Sequence, residues 1–202
     1  MKITIIVEGR TEKAFKPHLI EFLKPRLPGN VPRLDPFPCD GRIPTGEKLR
    51  RTVQNLLSGR QPSDAVIALT DVYTGTKDFV DASDAKAKMR NWVGANPSFH
   101  PHAAQHDFEA WLLPYWDEIQ KIAGHNRNAP KGAPESVNHS RPPSQYIKDL
   151  FETGSCRKSY SKVRDGNRIL KDKDLAIAAQ QCPELKAFLN TIIRLCGGKL
   201  LV

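Results

Sequence analysis

Two short apolar runs constrain this chain more than anything else in it. Ile3, Ile5, Ile6 and Val7 form one, and Ala65 to Leu69 form the other; the first runs directly into Glu8, and the second reaches Asp71 after Thr70. Both are near-continuous rather than alternating, so they predict strands covered on both faces, as in a parallel sheet. Gly9 follows Glu8 and allows a sharp exit turn, while Thr11 is a candidate N-cap for a helix. In open α/β sheets, ligands gather outside the carboxyl ends of the strands. Glu8 and Asp71 are therefore expected at a site.

Helical patterns fill the space between these strands. Residues 11–27 carry Phe15, Leu19, Ile20, Phe22 and Leu23 at helical spacing, with Pro17 expected to kink the helix or restart it. Residues 34–39 suggest an edge strand despite Pro36 and Pro38, and residues 44–57 a helix with Leu49, Val53, Leu56 and Leu57 on one face. A helix over 83–93, a short strand over 99–106 and a helix over 107–122 broken by Pro114 come next. Residues 124–143 are rich in Pro, Asn, Gly and Ser and read as a long functional loop or mobile connection. Helices are expected over 144–151, 167–180 and 183–195. Strands alternating with helices, followed by a helical tail, give an α/β three-layer core with a mainly parallel sheet. The expected layout is a core over 1–123, the loop over 124–143 and a helical region over 144–202 packed on the core, in one compact domain.

With 202 residues the chain can bury a sizeable core, and its net charge of +9 favours a polyanionic partner, most simply nucleic acid. A solubilising surface is the alternative. No apolar run approaches the roughly 18 residues of a membrane span, and no signal pattern opens the sequence. Cys39, Cys156, Cys182 and Cys196 lack Cys-x-x-Cys spacing and read as reduced thiols, so the expected location is the cytoplasm. The sequence leaves the oligomeric state open.

A third acidic position joins the first two: Asp107 and Glu109, in His-Asp-Phe-Glu-Ala-Trp over 106–111. Three or four carboxylates on one rim raise one another's pKa unless a cation compensates them, and hard oxygen donors select Mg²⁺ or Mn²⁺. Both Asp107 and Glu109 can reach one ion only if residues 105–109 are extended. Otherwise Glu109 is the ligand and Asp107 an N-cap. Arg157, Lys158, Lys162, Arg164, Arg168, Lys171 and Lys173 form a basic stretch. It reads either as a phosphate-holding patch or as a solvated helix face with salt bridges.

Other features are set aside. His100, His102 and His106 lack the spacing of zinc motifs, and His106 is read as a residue behind the site or as a proton carrier. Residues 41–48, Gly-Arg-Ile-Pro-Thr-Gly-Glu-Lys, have the outline of a phosphate loop, but Glu47 interrupts Gly-Lys and no strong strand precedes it. They read as a turn before a helix.

The opening strand with Glu8-Gly-x-Thr-Glu, the Asp-x-Tyr-x-Gly turn at 71–75 and the segment 106–113 resemble the DUF4276 family. So does a tail in which residues 160–166, Tyr-Ser-Lys-Val-Arg-Asp-Gly, precede residues 181–185, Gln-Cys-Pro-Glu-Leu. That family is grouped with Toprim-like domains, the Mg²⁺-dependent α/β fold of topoisomerases, primases and OLD-type nucleases. The resemblance implies a Mg²⁺-dependent nuclease site, and an ATPase partner encoded beside it in mobile or phage-defence loci. Glu8 then matches the Toprim glutamate and Asp71 the first Asp of Asp-x-Asp, whose second Asp is replaced by Tyr73. Asp107 and Glu109 match the family's acidic pair.

The expected metal ligands are thus Glu8, Asp71, Asp107 and Glu109, and the expected catalytic residues Glu8, Asp71, Glu109 and Lys162. Nucleic acid would be held by Arg10, Arg157, Lys158, Lys162, Arg164 and Arg168, with Tyr73 and His106 supporting the site. The favoured function is a phosphodiesterase on DNA or RNA. The alternatives are a non-catalytic or latent partner of an ATPase or nucleic acid, and hydrolysis of a small nucleotide.

Overall fold

A computed structural model of the chain describes residues 1–73, 77–138, 141–156 and 159–202, except the side chains of Arg10, Glu12 and Lys13. Among the described residues four strands, β1 (Lys2–Val7), β2 (Arg33–Pro38), β3 (Ala65–Asp71) and β4 (Phe99–Ala104), form an all-parallel sheet in the order β2-β1-β3-β4. The chain is an α/β protein with a Rossmann-like core. From β1 it steps outward to β2 and then crosses back to β3, so the topological switch point lies between β1 and β3. That places it between Glu8 and Asp71.

The period of two along each strand divides the core into two layers. Ile3, Ile5, Val7, Ala65, Ile67 and Leu69 face one side, where they meet α1 (Arg10–Leu23) and a set of later helices. Ile6, Val66, Ala68 and Ala103 face the other, against α2 (Gly46–Ser58) and α3 (Ala82–Val93). Every β1 residue from Ile3 to Val7 is buried, as the continuous apolar run predicts. Proline-rich β2 forms an outer edge of the sheet, where missing donors cost least.

Several elements differ from the sequence expectation. Helix α1 runs through Pro17 as a single helix and does not restart there. Residues 108–115 are not α-helical but form a 3₁₀ segment, Phe108–Tyr115, and α4 (Trp116–Ala123) begins only after Pro114. Pro114 has no N–H for an α-type bond and disfavours α geometry in the residue before it, so the chain tightens. The helix expected over 167–180 is two, α6 (Lys162–Leu170) and α7 (Leu175–Gln181), separated by a turn in which Asp172 has φ 58°. α5 (Pro143–Thr153) and α8 (Pro183–Leu195) lie where the pattern put them.

The loop over 124–143 is tied to the core at several points along its described length. Pro134 and Val137 are buried, and Arg127 O accepts from both Trp116 Nε1 (2.8 Å) and Gln120 Nε2 (2.8 Å). The Glu135 carboxylate accepts from Trp111 Nε1 (2.9 Å) and from the Glu184 and Leu185 amides at the start of α8. One carboxylate thereby caps α8 from outside and ties the loop to the core.

Candidate functional site

Parallel packing brings the ends of β1 and β3 together. Val7 pairs with Leu69, so the next residues, Glu8 and Thr70, come level. Glu8 is buried, and its Oε1 accepts from the Thr70 hydroxyl and from the Asp71 amide (3.0 Å). The Glu8 side chain is thus fixed by the neighbouring strand, and Asp71, only partly buried, faces the rim beside it. Two strand-end acids at the switch point occupy the place where such sheets bind ligands.

The second half of the site comes from the turn after β4. His106 has φ 71°, a left-handed conformation uncommon outside glycine, though less so for His. The kink lets His106 O accept from the Tyr73 amide (2.8 Å) and sets the two rings 5.3 Å apart. The Tyr73 hydroxyl accepts from Asn138 Nδ2, so the loop reaches this corner as well. Asp107 is extended (φ −142°, ψ 168°), and the 3₁₀ segment starts at Phe108. Its Oδ2 accepts from the Ser144 amide (3.1 Å) at the head of α5, while Oδ1 is buried with no hydrogen-bond partner among the described residues. Asp107 therefore caps α5, across the fold, rather than the segment it precedes.

Glu109 is completely buried within an apolar run, with Ala110, Trp111 and Leu112 beside it. Its Oε2 accepts from Lys162 Nζ (3.0 Å) and its Oε1 from the Tyr160 hydroxyl (3.3 Å). Burial raises the Glu109 carboxyl to about 7 against the pull of Lys162, with Asp107 adding to the rise. Burial likewise raises Asp107, although Ser144 and Lys162 oppose it. Burial works against the charge on Lys162, but Glu109, Asp71 and Asp107 outweigh that and hold its pKa above the ordinary lysine value. Lys162 pairs directly with Glu109, and the charges of Asp71 and Asp107 also act on it, although it comes from a helix over 50 residues later.

The remaining expected residues fall elsewhere. Arg164 and Arg168 both pair with buried Asp165, at 2.8 and 3.3 Å, so each guanidinium is half engaged inside α6. Arg157, Lys158 and the side chain of Arg10 lie outside the described residues. Tyr160, named from the sequence within the family motif, holds Glu109; nothing local in the sequence marks that pairing. His102 and His100 sit away from the rim, with His102 Nε2 against Thr191 Oγ1 (3.0 Å).

A divalent ion has suitable donors here. The acids are all hard oxygen ligands, and Asp107 Oδ1 is a buried oxygen lacking a partner among the described residues. Among the described residues, however, no three His, Cys, Asp or Glu side chains are already gathered as a bound metal would gather them. Lys162 supplies the nearest positive charge. No helix among the described residues is long and apolar enough to cross a membrane.

A family model described as a domain of unknown function, DUF4276, matches residues 7–193. That interval contains Glu8, Asp71, Asp107, Glu109 and Lys162. No curated protein and no solved structure matches the chain.

Proposed function

For a chain that belongs to the DUF4276 family, we propose that the rim formed by β1, β3 and the turn after β4 hydrolyses phosphodiesters of DNA or RNA with the help of Mg²⁺ or Mn²⁺. The observation that carries this is the buried Glu109 carboxylate paired with Lys162 at 3.0 Å, in the fold that sets Glu8 and Asp71 at the strand ends of the switch point. Buried carboxylates without full compensation are costly, and such clusters mark sites that bind cations or do chemistry.

Asp71 and Asp107, with Glu8 behind them, would hold the ion. Bound there, it would polarise the phosphoryl oxygen and acidify water. Glu109, poised near neutrality, would accept the water's proton at Oε2 only once Lys162 has turned away and opened that buried oxygen. Lys162, a compact charge at the same carboxylate, turns from Glu109 toward the phosphate as its charge develops. Tyr160 keeps Glu109 oriented through Oε1. The basic side chains of α6 hold the flanking phosphates, consistent with the net charge of +9. Kinship to the Toprim-like nucleases belongs to the same proposal.

The test is cleavage of plasmid, single-stranded DNA and RNA by the wild type and by Glu8→Ala, with Mg²⁺ or Mn²⁺. Cleavage by the wild type that disappears in Glu8→Ala is the expected result, and cleavage that survives the substitution removes Glu8 and this rim from the chemistry. The Lys162–Glu109 pair favours a second reading, in which the free chain is latent and a partner ATPase completes the site. In that case cleavage appears only when the ATPase is added.

A further inference from the structure

Beside the acidic rim, at the carboxyl end of β2, lies a cleft of ≈ 450 Å³ that the proposed hydrolysis does not use. Its volume falls within the range of small-molecule sites, about 300–1,000 Å³. Residues 41–48, which read from sequence as a turn for want of a preceding strand, do follow a strand, β2, and contribute much of the wall.

The lining joins three chemistries. Phe37 is 41% exposed, a large ring left open to water on an edge strand. Arg42 and Lys48 bring positive charge. Arg42 is steadied by an ion pair with Asp78, while its Nε is buried without a hydrogen-bond partner among the described residues. On α2, Arg50 and Arg51 are tied to Glu47, whereas among the described residues Lys48 has no carboxylate partner. Asp40 adds an acceptor, and Thr45 a hydroxyl. An aromatic face, an acceptor and two cations around one cavity are the complements of a base, a sugar hydroxyl and a phosphate. The cleft also shares a wall with the rim, because the Gly41 amide donates to Glu8 O (2.6 Å) and the Cys39 amide to Val7 O (2.9 Å).

We propose that this cleft binds a nucleoside phosphate, with the base on Phe37, the sugar hydroxyl at Asp40 and the phosphate between Arg42 and Lys48. The ligand is either a free nucleotide or the unit of an RNA strand next to the bond at the rim. Only the second source rests on the phosphodiester chemistry proposed above.

Calorimetric titrations of the full chain with AMP, a single-stranded RNA 12-mer and inorganic phosphate test it. AMP is expected to bind. Phe37→Ala and Lys48→Gln should each weaken AMP about tenfold, the scale of one stacked base or one phosphate contact. Lys48→Arg should restore binding, and Lys148→Gln, an equal charge change on α5, should leave it alone. Both test residues are exposed, so unchanged thermal melting will show that the variants fold. If the RNA loses affinity in parallel with AMP, a strand occupies the cleft, and if only AMP does, the ligand is a free nucleotide. Wild-type affinity in both cleft variants overturns the proposal, as does phosphate binding as tightly as AMP. The two proposals fail separately. A chain that cleaves nothing but shows the tenfold losses keeps the cleft and loses the hydrolysis, whereas normal cleavage with unaltered binding in both variants removes the cleft alone.

Discussion

Lys162 and Glu109 form an ion pair with one end sealed and the other half in water: the carboxylate is fully buried, and the lysine side chain is 48% exposed. Removing the lysine leaves an uncompensated buried charge, so Lys162→Met should raise the Glu109 pKa further and cost about 2 kcal/mol at pH 8. This is less than the 3–5 typical of a pair buried at both ends. Urea unfolding of the variant at pH 8 and pH 5 checks it, since protonation of Glu109 should erase most of the difference at pH 5. Glu109 itself has a folded-state pKa raised from 4.5 to about 7. Its contribution is therefore complete below 4.5 and is lost as pH rises toward 7. His102 does the reverse. Burial, aided by Lys86 and the neighbouring cations, lowers it from 6.5 to about 3, so stability falls as pH drops below 6.5, at up to about 1.4 kcal/mol per pH unit. Between pH 4.5 and 6.5 the two slopes oppose each other. Glu109→Gln should therefore become more acid-labile than the wild type over that window, and His102→Gln less, in unfolding measured against pH. The acidic motif around Glu109 was legible in the sequence, but its ionisation was not, because that depends on what seals it.

Elements here are ended and joined by carboxylates from other elements. Asp107 caps α5 through Ser144, and Glu135 caps α8 through Glu184 and Leu185 while holding Trp111. Local sequence reasoning places Asp107 before its own helix, as an N-cap; its side chain goes instead to a helix more than 30 residues away. Glu135→Ala would strip an acceptor from the α8 amides and from the Trp111 indole, leaving buried donors unsatisfied. We expect a loss of about 1–3 kcal/mol, seen as a lower melting temperature together with a changed Trp fluorescence. Glu135→Gln should recover part of it. The 3₁₀ segment is also an element-scale outcome. Its apolar residues and Pro114 are plain in the sequence, but the tight coil that buries Glu109 between them arises because the segment is covered all round. Strands β1 and β3 were legible in the sequence, since a near-continuous apolar run ending at an acid has few other uses.

At the scale of the molecule, one face of the sheet is closed by the helices of the second half of the chain. Ile3, Ile5 and Val7 share a cluster with Ile147, Leu150, Ile169, Leu185, Phe188 and Ile192. A chain ending at residue 143 should therefore expose that face and fail to fold cooperatively. Loss of a thermal transition and of amide protection in β1 would show it, and a protected, two-state fragment would disprove it. If nucleic acid is the partner, affinity should fall steeply as salt rises from 50 to about 200 mM, because phosphate contacts release counterions; a flat response excludes them. The sequence by itself determined the class of fold and the acids at the strand ends, because hydrophobic period and strand-terminal polarity are local properties of the chain. Only the tertiary structure decided what each acid faces. Glu8 meets the Thr70 hydroxyl and the Asp71 amide, Asp107 meets α5, and Glu109 meets Lys162 and Tyr160. These partners lie tens of residues apart, and burial and pairing across such distances are fixed by packing, which no window of sequence contains.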